Sequence, residues 1–213
     1  PDVRVENSTF QSCQVGAYII SSERADFAFD SMSSNWLGLR LVDSDFSEVY
    51  TNNFLSNSDK GMHVVSSPDC AFQGNTWALN DNAMLIEGDP ADYDITMDTS
   101  NEVNGDPVYY WYDTNDMVVG DAEAGMVIVA ACDNLTLDNY TVDYCEGIHV
   151  YDSSNITIIN CNVSNSRTSV YIDPSSGVTV RDSTFFYNND QHSFINLCNS
   201  SISIGGSLPY CSK

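Results

Sequence analysis

The segment ITIINCNVSNS, Ile156–Ser166, decides the fold class because similar segments occur before and after it. The earlier copy reads LTLDNYTVDYC and the later copy reads VTVRDSTFFYN. In each copy apolar and polar residues alternate, which is the period of a β-strand with one buried face. The same alternation recurs at a step of about 21 to 23 residues, so we predict that the chain is built from structural repeats.

Aligned on this alternation, the copies place similar residues in equivalent positions. The first apolar pair is Leu135 and Leu137, Ile156 and Ile158, Val178 and Val180, or Val3 and Val5. The next polar position holds Asn139, Asn160, Asp182 or Asn7, and the next apolar position holds Val142, Val163, Phe185 or Phe10. We expect the polar position to form a turn in which asparagine side chains stack as an amide ladder.

A second strand follows in each copy and begins at a small residue. These leading residues are Gly16, Gly38, Gly61, Ala83, Gly125, Gly147, Ser169 and Ser193. We expect a tight bend there, because glycine tolerates a positive φ. On this alignment Met62, Met84 and Met126 share one inward position, as do Ile148, Val170 and Phe194.

Short strands at a fixed step predict an all-β fold, a right-handed single-stranded parallel β-helix (β-solenoid) of about nine coils. An antiparallel sandwich could use the same strands, but it gives no reason for a register that repeats from copy to copy. We expect residues 1–213 to form one solenoid domain. Within it, we expect residues 101–124 to form an inserted aromatic loop or an irregular coil, since they contain Pro107 and several aromatic residues.

The coil pattern, together with the segment VNGDPVYYW at Val103–Trp111, resembles parallel β-helix repeat proteins of the NosD-like and carbohydrate-binding/sugar-hydrolase type. It is similar in particular to those of archaeal cell surfaces, and the resemblance covers most of the chain. It implies the solenoid fold. It does not imply one activity, because the superfamily includes pectin-type lyases and hydrolases, tailspikes and surface proteins of no known activity.

The composition limits the partners of the chain. Of its 213 residues, seven are Lys or Arg and thirty are Asp or Glu, which gives a formal net charge of −23. This charge repels nucleic acids and anionic membranes, and no apolar run is long enough to span a bilayer. Because the chain begins at Pro1 rather than Met, we interpret it as a processed segment.

Cysteines and glycosylation sequons indicate an extracellular, cell-surface location. The seven cysteines form no C-x-x-C pair, so we expect disulfides, with at least one thiol left over or bonded to another chain. The candidates are Cys13, Cys70, Cys132, Cys145, Cys161, Cys198 and Cys211. The N-x-[ST] sequons that could carry glycans are at Asn7, Asn134, Asn139, Asn155, Asn162 and Asn199.

Metal binding has weak support in the sequence. A copper site needs clustered ligands, but His63, His149 and His192 lie far apart in the repeat. We therefore expect no cofactor, with calcium as the alternative because acidic turns supply oxygen ligands. The calcium candidates are Asp89, Asp92 and Asp94.

The sequence contains no residue pattern that defines a catalytic site for glycans, and we assign no residue as catalytic. Aspartates are so abundant that a carboxylate pair of the kind glycosidases use carries no signal without geometry. A lyase commonly needs Lys or Arg beside an acidic sugar, yet the cations are scattered over different coils. They are Arg4, Arg24, Arg40, Lys60, Arg167, Arg181 and Lys213. A neutral sugar could still stack on Tyr109, Tyr110, Trp111 and Tyr112.

We therefore predict a non-enzymatic extracellular structural subunit that self-assembles into a cell-surface layer, sheath or filament. Exposed strand edges at the ends of the solenoid would pair with further copies of the chain. The alternative function is a glycan-binding or glycan-cleaving β-helix module that uses the aromatic segment.

Overall fold

The computed structural model describes residues 2–186, 188, 195–197 and 202–205. The chain divides into two compact units, residues 1–108 (unit 1) and residues 109–213 (unit 2). Among the described residues the one helical element is a short 3-10 helix at Pro90–Tyr93, and all other regular structure is β-strand. None of the helical structure in these ranges is long and apolar enough to cross a membrane.

The strands are short and follow one another closely. As far as residue 112 they are β1 (Val3–Glu6), β2 (Thr9–Gln11), β3 (Val15–Ile20), β4 (Ala25–Ala28), β5 (Ser31–Ser33), β6 (Leu37–Val42), β7 (Glu48–Tyr50), β8 (Asn53–Leu55), β9 (Lys60–Val65), β10 (Cys70–Gln73), β11 (Thr76–Ala78), β12 (Asn82–Glu87), β13 (Ile95–Met97), β14 (Glu102–Val103) and β15 (Asp106–Tyr112). After residue 112 they are β16 (Met117–Glu123), β17 (Met126–Ala130), β18 (Leu135–Asp143), β19 (Gly147–Tyr151), β20 (Thr157–Ile159), β21 (Asn162–Ser164), β22 (Val170–Asp173), β23 (Val178–Arg181), β24 (Thr184–Phe186), β25 (Ile195–Leu197) and β26 (Ile202–Gly205).

In unit 1 each turn of the chain contributes one strand to each of three parallel sheets. The first sheet contains β1, β4, β7, β10 and β13, and the second contains β2, β5, β8, β11 and β14. The third sheet contains β3, β6, β9 and β12. Since strands about 22 residues apart in sequence are direct neighbours, unit 1 is a parallel β-solenoid.

Unit 2 is also a parallel solenoid, but its strands form two sheets. The nine-residue strand β18 pairs with β16 on one side and with both β20 and β21 on the other. β23, β24 and β26 extend this sheet. The second sheet contains β17, β19, β22 and β25, all parallel. The fold prediction is confirmed as an all-β, right-handed parallel solenoid, with about eight turns instead of about nine.

The inward apolar rows are the core of each unit. Leu137, Ile158 and Val180 are in register on three successive coils, as are Val142, Val163 and Phe185. In unit 1 the fully buried Phe54 stacks on Trp77 with ring centroids 5.3 Å apart. Burying such columns is the main favourable contribution to folding, at about 25 cal/mol per Å² of apolar surface.

Two register assignments from the sequence are wrong. Met126 does not share a position with Met62 and Met84, because it lies opposite Gly147 while Val127 lies opposite Ile148. The strand β17 is apolar at every position, so its sequence fits either register equally well. Ile195 rather than Phe194 lies opposite Val170, and Phe194 falls outside the described residues.

Amide ladders occur in unit 1, but not at the predicted position. One buried ladder runs through Asn52, Asn75 and Asn101, where each backbone N–H donates to the Oδ1 of the next asparagine at 3.0 and 3.2 Å. A second ladder joins Asn35, Asn57 and Asn80 in the same way, at 3.0 and 2.9 Å. These bonds satisfy backbone donors where the strands are interrupted at a turn.

The predicted ladder position is a corner of the solenoid instead. Asn7, Asn139, Asn160 and Asp182 all have positive φ, between 51° and 59°. Asparagine and aspartate tolerate this left-handed conformation better than most residues. Asn139 and Asn160 donate their side-chain amides to Asp121 and Asp138 of the preceding coil, each at 2.8 Å, so they do not stack on one another.

Glycine occurs near the start of third-sheet strands because the backbone there passes very close to the next coil. A bend is not the reason at these positions. A Cβ on Gly38 would lie 2.3 Å from the carbonyl oxygen of Gly61, and one on Gly61 would lie 2.7 Å from that of Ala83. Neither glycine has a positive φ. The predicted bend is present at Gly147, whose φ is 95°.

Residues 101–124 contain regular strands as well as an irregular connection. Asn101 ends the buried amide ladder, and β14 pairs in parallel with β11. The chain then reverses, so that the start of β15 pairs antiparallel with β14 through Glu102 and Pro107. β16 returns to parallel pairing with β18. The departure from the repeat is therefore concentrated in the β14–β15 hairpin.

Candidate functional site

The outward faces of the three unit 1 sheets differ in chemistry, and this difference indicates a functional surface. On the first sheet the outward charges pair with one another: Arg24 reaches Asp26 at 2.9 Å and Glu48 at 2.7 Å. The second sheet presents mostly uncharged polar residues such as Thr9, Ser31 and Asn53. Such faces are typical of a solvated surface.

The third sheet is different, and its outward residues are called here the third-sheet outer face. Its two rows are Tyr18, Arg40, His63 and Leu85, and Ile20, Val42, Val65 and Glu87. Neighbouring strands lie about 4.8 Å apart, so each row spans about 14 Å. Tyr18 is 51% exposed and Ile20 is 58% exposed. Exposed apolar residues in a contiguous group mark an interaction surface more often than scattered ones do.

Arg40 and Tyr18 form the aromatic and cationic part of this face. The guanidinium carbon of Arg40 lies 5.4 Å from the centre of the Tyr18 ring, within the range of a cation–π contact. The two side chains are 22 residues apart in sequence and meet because β3 and β6 are paired in register. Parallel pairing thus assembles a feature that no short motif encodes.

His63 lies beside Arg40 and contacts Glu87 at the other end of the face. Its Nε2 is 2.9 Å from Oε2 of Glu87. Burial is the main cause that lowers the pKa of His63, and the charges of Arg40 and Lys60 lower it further, while Glu87 acts in the opposite direction. His63 is therefore mostly neutral at neutral pH. Arg40 and Lys60 lie on different coils, as the sequence predicts, although the charges of both act on His63.

The predicted glycan-stacking residues lie in unit 2 and are half-buried. The rings of Tyr109 and Tyr140 meet edge to face with centroids 5.4 Å apart. The Nε1 of Trp111 donates to the Tyr140 hydroxyl at 3.3 Å, and Tyr140 is buried. The structure thus places Tyr109 and Trp111 against the body of unit 2, and it leaves Tyr110 and Tyr112 on the same half-buried strand.

A second polar cluster lies in unit 2, and its histidine is closed to solvent. His149 is 4% exposed, and its Nδ1 lies 3.0 Å from the hydroxyl of Tyr151. Tyr171 packs against both rings and donates to Asp173 at 3.3 Å. Burial lowers the pKa of His149 to about 4, with a further contribution from the charge of Arg167. A neutral, enclosed histidine of this kind supports the fold rather than meeting a ligand.

The calcium candidates do not converge on one point. Asp92 accepts a hydrogen bond from the backbone N–H of Asp89 at 2.8 Å and so caps the 3-10 helix. The backbone carbonyl of Asp94 accepts from the N–H of Asp69 at 2.6 Å. No group of three or more His, Cys, Asp or Glu side chains with metal-binding geometry occurs among the described residues. Calcium binding stays a prediction.

No disulfide joins the cysteines that the structure describes. Cys132 and Cys161 are buried at turns, where each thiol lies 3.3 Å from the carbonyl two residues earlier. Ser153 and Ser183 make the same contact with their hydroxyls. Cysteine therefore takes the place of a turn serine in these coils. Cys13 is exposed, Cys70 and Cys145 are buried, and Cys198 and Cys211 lie outside the described residues.

The sequons follow from the geometry of the corners. Asn134, Asn139 and Asn155 all have positive φ, and each is followed by a buried apolar residue and then a threonine on the strand. Their side-chain amides donate to aspartates of the preceding coil, at 2.8 to 2.9 Å. The geometry of the solenoid corners is thus sufficient to explain these N-x-T sequons, whether or not they carry glycans. Asn7 is an exposed corner, Asn162 is half-buried on β21, and Asn199 lies outside the described residues. Glycosylation stays a prediction.

Comparison with known proteins supports the class of fold. The family model described as right-handed beta helix region matches residues 112–207. With the parallel coils of both units, this defines the protein as a right-handed parallel β-helix. No curated protein sequence matches the chain.

Solved structures also match the chain, at low sequence identity. The Agl-KA catalytic domain aligns with 95% of this chain and 47% of its own, at 13% identity and a TM-score of 0.41. The chain thus spans about half the length of that domain. QnrB1, a plasmid-mediated fluoroquinolone resistance protein, aligns over 92% of both chains at 7% identity and a TM-score of 0.25. Likeness at this level carries no functional argument.

Proposed function

We propose that this chain is an extracellular carbohydrate-binding β-helix module whose ligand lies along the third-sheet outer face. The observation that carries the proposal is the contrast between that face and the outward faces of the other two sheets of unit 1. The chain has a net charge of −23, yet the outward side chains that β3, β6 and β9 contribute to the two rows of this face include no carboxylate. Aromatic, aliphatic and cationic side chains are collected there instead.

The chemistry of the face suits a sugar chain. The apolar C–H side of a pyranose packs on an aromatic ring such as Tyr18, while Arg40 and His63 offer hydrogen-bond groups to hydroxyls. A regular row of side chains at the strand spacing suits a ligand that is itself a linear repeat. The proposal concerns binding, and we assign no catalytic residue.

We retain self-assembly as a second candidate function, because any strand edge of a parallel solenoid that stays unpaired can pair with a coil of a second copy.

Replacing Tyr18 with alanine is expected to weaken glycan binding about tenfold, because the stacking surface is removed. Affinity gel electrophoresis in a panel of soluble polysaccharides identifies a retained glycan, and calorimetry then measures its affinity for each variant. The matched control is Tyr50→Ala, which removes a half-buried tyrosine from the outward face of the first sheet. Equal losses in both variants, or retention by no polysaccharide, would contradict the proposal.

A further inference from the structure

Arg40 differs from the other cations of unit 1 because no carboxylate neutralises it. Arg4 pairs with Glu6, Arg24 with Asp26, and Lys60 with Asp59. Arg40 forms no ion pair and donates no hydrogen bond to any described residue, and its one specific contact is the ring of Tyr18. In a chain with thirty acidic residues and seven Lys or Arg, an arginine without an acidic partner calls for an explanation.

The Nε of Arg40 gives further evidence that this side chain lacks a hydrogen-bond partner within the described residues. This nitrogen is fully buried and has no acceptor within hydrogen-bond distance. A buried donor without a partner costs about 1 to 3 kcal/mol. The nearest acid in the outward rows, Glu87, is held by His63 at 2.9 Å. The donors of Arg40 are therefore unsatisfied within the described part of the chain.

We infer that Arg40 binds an oxyanion, a carboxylate or sulfate carried by the glycan, so that the ligand of the third-sheet outer face is an acidic polysaccharide. This inference rests on the proposed function. The two Nη groups of Arg40, which are not buried as Nε is, present parallel N–H donors whose geometry matches the two oxygens of such a group. His63 is mostly neutral and Lys60 is paired with Asp59, so the positive charge offered to the ligand is that of Arg40 itself.

The net charge of −23 does not prevent this contact. At an ionic strength of about 0.15 M the Debye length is about 8 Å, so most of the distant carboxylates are screened from the ligand. A partly buried contact with Arg40 is screened much less. Local attraction therefore outweighs long-range repulsion once the glycan lies on the face.

The experiment compares ligands that differ only in charge. Cello-oligosaccharides and glucuronan oligosaccharides share one linkage and backbone, and the second carries a carboxylate on each sugar. Cello-oligosaccharides bearing sulfate esters form a third arm, which separates the two oxyanions. Calorimetry at an ionic strength of about 0.15 M measures the affinity of the wild-type chain and of Arg40→Gln, Arg40→Lys and Arg4→Gln. Arg4→Gln is the control because Arg4 lies on the first sheet and pairs with Glu6.

We expect the wild-type chain to bind one of the acidic series at least about tenfold more tightly than the neutral series. Arg40→Gln should abolish this preference, Arg40→Lys should restore part of it by charge alone, and Arg4→Gln should leave it unchanged. Thermal unfolding by circular dichroism checks that each variant is folded. Loss of the preference for acidic oligosaccharides in a folded Arg40→Gln variant would establish the oxyanion site.

Other results would overturn the inference. Equal binding of neutral and acidic series, or an acidic preference that survives in Arg40→Gln, would remove the oxyanion site and leave the proposed function intact. Binding of no oligosaccharide in any arm would remove both. If sedimentation shows a wild-type oligomer that Arg40→Gln dissociates, the oxyanion belongs to a second copy of the chain, and the acidic-glycan inference is wrong.

Discussion

Replacing Asn75 with alanine is expected to lower the free energy of unfolding by about 4 kcal/mol, because one side chain satisfies several buried groups. Its Oδ1 accepts from the backbone N–H and the side-chain amide of Asn52, at 3.0 and 3.1 Å. Its Nδ2 donates to the carbonyl of Val49 at 2.7 Å and to Oδ1 of Asn101 at 3.0 Å. Alanine leaves these partners buried and unsatisfied.

The matched control is Asn53→Ala, which removes an exposed asparagine from the same turn region. Its side chain accepts one exposed hydrogen bond, from Thr76 at 3.3 Å. We expect a loss of about 0.5 kcal/mol or less there. Urea unfolding followed by far-UV circular dichroism measures both variants. Similar losses at the two positions would show that the ladder does not stabilise unit 1.

Acidification is expected to cost about 3 kcal/mol of stability through His149. Burial lowers the pKa of His149 to about 4 in the folded chain, against an ordinary value of 6.5. The unfolded chain therefore binds the proton more readily, so stability falls as the pH drops below about 6.5 and levels off below about 4. One pKa unit corresponds to about 1.4 kcal/mol, which gives the expected size.

Urea titrations between about pH 7 and about pH 4 measure this loss, and His149→Gln removes it because glutamine does not titrate. The control His63→Gln should change the slope less, since His63 is less deeply buried than His149 and pairs with Glu87. Hydrogen bonds from Ser154 and Ser164 lower the pKa values of Asp133 and Asp143, so their contribution is lost at still lower pH. An unchanged slope in His149→Gln would contradict the assignment.

The sequence predicted most of the fold but less of the surface. The inward rows at Leu137, Ile158 and Val180 were predicted correctly, because a buried strand face leaves a period of two in the sequence. The amide ladders were expected at the wrong asparagines, since a turn asparagine can either bond the next coil or adopt a positive φ. Both uses are present, at Asn75 and at Asn139, and composition does not distinguish them.

The residues of the candidate site are less evident in the sequence than the aromatic segment is. The aromatic run from Tyr109 to Tyr112 stands out in the sequence because its members are adjacent. Tyr18, Arg40 and His63 do not stand out, because about 22 residues separate each from the next. The repeat places all three at one outward position, but residue types that vary from copy to copy indicate an exposed face and not a binding site.

Patterning alone specifies the strands, the length of the coil and the inward columns of those strands whose apolar and polar residues alternate, because such alternation allows only one register that buries the apolar face. The folded chain adds what depends on contact between coils. Parallel stacking brings residues that are distant in sequence to about 4.8 Å strand spacing, and this fixes the register of the wholly apolar β17 and the partner of each asparagine. The same stacking places Arg40 over Tyr18, away from the carboxylates that neutralise the other cations of unit 1.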